Sequence, residues 1–332
     1  MDQVFKSNTI KVLTELLIEN YVFFETAAHI RNELTQYLQN SEYDEIDDPI
    51  AFAERLTFHL QSLSKDKHLH IRHFLNDMKE DTSQEQNTSR HENFMTMVKL
   101  DNYGFSKVER LPGNIGLLEF QGFFEPELAG ETASSAMTFL ANASGLIIDI
   151  RNNFGGSPHM VAFLSSYLLE PTPTHLNSLY WRKHDDTHQF WSMPYVPGKR
   201  FGGTKPLYIL TSRHTFSAAE EFAYNLQAIG RATVVGERTA GGAHPGQMHT
   251  INSQFEVFIP NGRAINPVTK GNWEGEGVRP DLDVPREQAF DTAYLALLEK
   301  ELQRLTDQTV GGYERVVNEI KQTLAQKGVL VS

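Results

Sequence analysis

The chain has 332 residues, 40% hydrophobic and 22% charged, the composition of an ordinary globular protein of one or two domains. Its 30 Lys and Arg against 42 Asp and Glu give a net charge of −12, which argues against a surface that tracks phosphates and hence against a nucleic-acid partner. It has no cysteine, so disulfides, thiolate nucleophiles and cysteine-based zinc sites are excluded.

The N-terminus, Met1 to Lys6, shows no basic region leading into an uninterrupted apolar stretch. No run approaches the roughly 18 apolar residues of a transmembrane helix. The expectation is a protein without a transmembrane segment, cytoplasmic as written, or exported if a signal peptide has been removed. From Ile10 to Leu38 apolar residues recur at helical spacing, through Leu13, Leu16, Leu17, Ile30 and Leu34. Asp47-Asp48-Pro49 reads as a helix start, and the next helix runs through Phe52, Leu56 and Leu60 to Leu63. Together these predict a helical N-terminal domain over 1–75. Between Asn76 and Asn93 only Met78 is apolar, which predicts a mobile loop within a flexible connection over 76–110.

The character then changes. Strands are predicted at Ile115–Phe120, Leu146–Ile150, Leu207–Leu210 and Thr233–Val235. Helices are predicted at Glu131–Ala141, about His159–Leu169 and about Ala218–Ile229. Strand, turn and helix in repetition predict an α/β core with parallel pairing over 111–332. The region from Gln254 to Pro260 alternates like a surface strand, and helices around Ala289–Leu305 and Tyr313–Leu324 close the chain.

Four segments could carry chemistry. Thr211-Ser212-Arg213-His214-Thr215-Phe216-Ser217-Ala218-Ala219-Glu220 sits where a buried strand gives way to a helix. A serine there can present its hydroxyl at the carboxyl end of the sheet, with helix N–H groups nearby for an oxyanion. Ser217 and Glu220 also spell an ordinary capping box, which by itself is the commoner meaning. Asp149-Ile150-Arg151-Asn152-Asn153-Phe154-Gly155-Gly156 offers either close approach of a substrate to the backbone or a simple tight connection. Gly236 to Pro245 reads equally as a glycine loop, and Trp273 to Asp281 as an exposed acidic turn or a source of a carboxylate at Glu274. His68, His70 and His73 invite a metal reading, but on a strand His73 faces away from the other two. With no carboxylate nearby in sequence completing a site, no metal and no cofactor are expected. The motifs H-E-x-x-H, G-x-x-x-x-G-K-[ST], G-x-S-x-G and G-x-G-x-x-G do not occur.

In combination and in this order, the four segments resemble the tail-specific (C-terminal processing) serine peptidase family over about residues 111–285. The helical N-terminal unit and Lys65-Asp66-Lys67-His68 extend the resemblance toward the branch of the interphotoreceptor retinoid-binding protein repeats and the tricorn core protease. The resemblance implies a crotonase-like (ClpP/crotonase) spiral of ββα units with an N-terminal helical domain and no PDZ domain. It also implies peptide-bond hydrolysis by Ser217 as nucleophile, with Ala218 and either Gly155 or Gly156 as oxyanion donors. Gly242 stands where the processing peptidases usually carry a lysine base, so a Ser–Lys pair cannot form at that position. The tricorn-like branch has Ser, His and Glu instead, and His68 and Glu274 match those places.

The expected partner is a peptide or unfolded protein; oligomeric state is not readable. A second reading is a non-catalytic module of the same fold that binds an apolar ligand such as a retinoid or fatty acid. A third, a crotonase-type acyl-thioester enzyme, does not account for Ser217, His68 and Glu274 together.

Overall fold

The computed structural model describes residues 1–74, 94–306 and 312–329, which form two compact units. The segment read as a mobile loop between Asn76 and Asn93 lies outside the described residues.

Among the described residues the first unit comprises 1–74, 178–189 and 242–265. Its helices are α1 (Gln3–Asn20), α2 (Phe24–Gln39) and α3 (Pro49–Ser64). Each of α1 and α3 starts on an aspartate cap. Asp2 accepts from the Phe5 N–H at 2.7 Å, and Asp48 accepts from the Ala51 N–H at 2.8 Å, just ahead of Pro49. The carbonyls at the end of α1, which have no helical partner, accept from the Arg182 guanidinium at Ile18, Glu19 and Tyr21. The helices pack on an antiparallel sheet of β1 (His70–His73), β10 (Phe255–Pro260) and β9 (Gly246–Thr250), with β10 in the middle. Phe255, Val257 and Ile259 point into a core with Leu13, Leu17, Ile30, Leu34, Phe52, Leu56 and Leu60. The alternation from Gln254 to Pro260 therefore marks a central strand with one buried face, not a surface strand. Period-two patterning reports burial on one face and is silent on position in the sheet. A second ribbon places β5 (His175–Trp181) between β11 (Gly262–Ile265) and β6 (Asp186–Trp191).

Among the described residues the second unit comprises 94–177, 190–241, 266–306 and 312–329. Here a helix over 94–100 (α4) precedes β2 (Phe105–Leu111) and β3 (Ile115–Phe120). Then come α5 (Pro126–Leu140), β4 (Gly145–Asp149), α6 (Pro158–Tyr167), β7 (Leu207–Thr211), α7 (Ala218–Ala228) and β8 (Thr233–Gly236). A short β12 (Leu282–Asp283), α8 (Ala289–Thr306) and α9 (Glu314–Gln326) close it. The strands form one mixed sheet in the order β12-β8-β7-β4-β3-β2, parallel from β12 to β3 and antiparallel at β2. The apolar runs of β4 and β7 are buried along their whole length, as expected of parallel strands covered on both faces. Leu297 and Leu298 of α8 and Ile320 of α9 cover one face through Ile147, Tyr208, Leu210 and Val235. Helix α5 starts at Pro126 rather than Glu131, because a proline in the first turn already holds the helical φ. Among the described residues no helix is long and apolar enough to cross a membrane.

Candidate active site

Strands β4, β7 and β8 are adjacent and parallel, so the segments following them emerge from one edge of the sheet. Those segments are three of the four singled out in the sequence. The carboxyl edge of a parallel sheet is where α/β sites form.

Hydrogen bonds pin the β7–α7 corner to the loop after β4. The Ser212 hydroxyl donates to the Arg151 carbonyl at 2.6 Å, and the Thr215 hydroxyl donates to the Ile150 carbonyl at 2.8 Å. The Phe216 N–H donates to the Asn153 carbonyl at 3.1 Å. At the end of this corner Ser217 has φ +57° and ψ −123°, a left-handed backbone that a non-glycine residue adopts at a cost of about 1–3 kcal/mol. Strain of that kind persists where the surroundings enforce it, and it concentrates at functional sites.

The glycine turn lies directly against this serine. A Cβ on Gly155, whose φ is +96°, would stand 2.7 Å from the Ser217 Cβ and 2.8 Å from the Ala218 nitrogen. Only glycine fits. Asn153, fully buried, shapes the turn: its Nδ2 donates to the Phe120 carbonyl at 3.0 Å and its Oδ1 accepts the Gly155 N–H at 2.9 Å. The Gly155 N–H is thus engaged locally. Among the described residues no protein acceptor takes the N–H of Gly156 or of Ala218, the first residue of α7.

Glu220 does more than cap a helix. It is fully buried, and its Oε2 accepts the Ser217 N–H at 2.9 Å. Its Oε1 accepts the Thr239 hydroxyl at 2.5 Å and the Gly241 N–H at 2.6 Å. Thr239 Oγ1 in turn accepts the Val278 N–H at 2.6 Å, and the Gly275 N–H donates to the Gly241 carbonyl at 3.1 Å. One carboxylate therefore joins the serine corner to the loop after β8 and, through that loop, to the Trp273–Val278 turn. Glu274 is half-buried in that turn, its N–H donating to Asn272 Oδ1 at 3.0 Å.

His68 belongs to the first unit. It is 7% exposed, its ring stacks on Phe258 at 5.8 Å, and its N–H donates to Asp66 Oδ1 at 3.0 Å. Burial pushes its pKa down to about 4; Asp66 pulls the other way, while His244 and His70 add to the fall. The imidazole is therefore neutral at pH 7, the form a general base needs. His70 shares the Phe258 stack at 5.6 Å, and its Nδ1 lies 2.7 Å from the His68 carbonyl. His73 lies instead against Phe255 at 5.4 Å, on the opposite face of β1 from His70.

The sequence reading gave no role to Asn153, Asp66 or His244 and only a capping role to Glu220. For Asn153 a signal existed, since Asn followed two residues later by Gly is a common side-chain-to-backbone turn. For Asp66 the same kind of turn onto the His68 N–H was open to reading, but nothing in the sequence linked Asp66 to His244.

A mixed sheet whose parallel strands end in a strained serine corner and glycine-lined loops on one carboxyl edge has the layout of an α/β site. The sequence profile of peptidase family S41 matches residues 114–284, and that of the N-terminal domain of peptidase S41 in eukaryotic IRBP matches 5–107. The chain belongs to peptidase family S41. Among solved structures it is similar to a candidate peptidase from Parabacteroides merdae, at 20% identity and TM-score 0.62 over 88% of this chain and 96% of that one. It is also similar to the photosystem II D1 C-terminal processing protease, at 14% identity and TM-score 0.51 over 85% and 93% of the two chains. The tricorn protease matches at 12% identity and TM-score 0.55, over 89% of this chain but 37% of its own. At these identities the likeness is one of fold.

Proposed function

We propose that the protein is a serine peptidase acting on peptides or unfolded proteins, with Ser217 as nucleophile, His68 as general base and Glu274 as the supporting acid. Membership of family S41 supports the peptidase class. The observation that carries the assignment of Ser217 is its strained backbone under the Gly155 turn, a combination that helix capping does not require. In this reading neutral His68 takes the Ser217 proton and the alkoxide attacks the scissile carbonyl. The oxyanion is received by the N–H groups of Ala218 and Gly156, because that of Gly155 is held by Asn153. Gly155 contributes by contact, keeping the glycine turn close to the serine. Protonated His68 then delivers its proton to the leaving amine, and Glu274 favours the imidazolium electrostatically. The succession of strands and helices in the second unit supports reading its fold as a crotonase-like spiral.

A fluorophosphonate probe tests the assignment. Labelling of the wild type that disappears in Ser217→Ala, together with loss of hydrolysis of fluorescein-labelled casein, is the expected result. Undiminished casein hydrolysis by purified Ser217→Ala would refute it.

A further inference from the structure

The first unit contains a buried carboxylate for which the proposed mechanism has no use. Asp66 follows Lys65, the left-handed residue that ends α3, and is 1% exposed. A carboxylate removed from water needs donors, and Asp66 has them from three separate stretches of chain. Its Oδ2 accepts the Tyr21 hydroxyl at 3.1 Å and lies 2.8 Å from His244 Nδ1. Its Oδ1 accepts the His68 N–H at 3.0 Å and stands 4.0 Å from His68 Nδ1. A carboxylate can only accept, so His244 carries its proton on Nδ1.

Tyr21 is 1% exposed and His244 5%, with the His244 ring packed edge-on to Phe23 at 5.2 Å. Replacing a buried polar cluster of this kind with apolar side chains is often neutral or stabilising. Packing alone does not account for an acid, a phenol and an imidazole gathered beside the backbone of His68.

We propose that Asp66, held by His244 and Tyr21, is the positioning group for His68, fixing its backbone and favouring the imidazolium that forms when it accepts a proton. This inference rests on His68 being the base. It gives His68 a carboxylate from its own unit, and it makes His244 and Tyr21 positioning residues that act through Asp66. Within the first unit, the titratable groups that bear on His68 are Asp66, which raises its pKa, and His244 and His70, which lower it; the proposed mechanism adds Glu274.

Two measurements test it. In the first, the His68 ring is followed by NMR through a pH titration in the full-length wild type and in Asp66→Asn. The expected result is a midpoint at lower pH in the variant, because the carboxylate that favours the charged ring is gone. An unmoved midpoint overturns the proposal, whether or not the protein is active.

The second measurement is hydrolysis of fluorescein-labelled casein. His244→Phe keeps the ring packing and removes the donor, and kcat should fall at least about tenfold with KM little changed. His244→Asn, whose amide can stand in for the Nδ1–H, should recover most of that loss. If both His244 variants lose stability equally while kcat holds, the cluster is merely structural and the proposal fails. Failure of the underlying reading looks different: His68→Gln would then retain full activity. If His68→Gln is inactive while the Asp66 and His244 variants match the wild type, only the present inference falls.

Discussion

Replacing His68 by glutamine should flatten the acid side of the stability curve. In the native protein burial holds the His68 pKa at about 4, whereas an unfolded chain titrates at about 6.5. Between those values the unfolded state binds a proton that the native state refuses, so stability is lost as pH falls through this window. Above about pH 6.5 both states are neutral at this residue and no linked loss occurs. The loss between about pH 7.5 and about pH 5 comes to about 2 kcal/mol, from 1.36 kcal/mol per unit of displacement. Glutamine keeps a polar side chain of similar reach but does not titrate. Urea unfolding of wild type and His68→Gln at the two pH values gives a double difference in which every other titrating group cancels. The expected double difference is about 2 kcal/mol, with the wild type losing more on acidification. If the two proteins lose the same stability within about 0.5 kcal/mol, the imidazole is not held neutral by burial and the reasoning fails. The kinetic counterpart has the same sign: the acid fall-off of kcat/KM should lie below the ordinary histidine value, and His68→Gln should abolish turnover.

The strain at Ser217 predicts that Ser217→Gly is more stable than Ser217→Ala by about 1–3 kcal/mol in thermal or urea unfolding, with both inactive; equal stabilities would show the backbone to be relaxed. Gly155→Ala places a methyl against the Ser217 Cβ and should lower kcat/KM on casein at least about 100-fold; wild-type turnover would remove Gly155 from the site. Glu274→Gln keeps size and removes charge, and should cut kcat by at least about tenfold, or 1.4 kcal/mol of barrier; unchanged kinetics would leave the supporting acid to be sought elsewhere. Glu221, buried on α7 behind the serine corner, has its pKa raised to about 7 by desolvation. Its stabilising effect is full below about pH 4.5 and lost as pH rises through about 7, so Glu221→Gln should gain up to about 3 kcal/mol at pH 8 and nothing near pH 4.5. A gain independent of pH would contradict that shift.

What could be read from the sequence was local. The runs at Leu146–Ile148 and Leu207–Leu210 are legible because a strand covered on both faces must be apolar throughout. Strand β2 was not, since it sits at the sheet edge and Ser106, Lys107, Glu109 and Arg110 hide its pattern. The four chemistry-bearing segments stand out because glycine freedom, helix starts and hydroxyl chemistry are properties of a few consecutive residues. Even there the reading stopped at the first contact. Ser217 and Glu220 spell a capping box, and the pairing exists, but only the fold reveals that the same carboxylate also takes Thr239 and Gly241.

Pairings between distant residues leave no such trace. Asp66 and His244 are 178 residues apart and each stood within a segment already singled out, yet nothing in either segment points to the other. Their meeting depends on strands β9 and β10 folding against the N-terminal helices, which carries the stretch from Gly242 into the first unit. That assignment bears on Gly242, which the sequence resemblance sets at the lysine position of the processing peptidases. In the proposed mechanism the base is His68, and the same stretch supplies, two residues on, an imidazole bound to the carboxylate that holds the His68 backbone. It follows that Gly242→Lys should not restore activity to His68→Gln, since the new amine would also need desolvation and a suitable approach to Ser217.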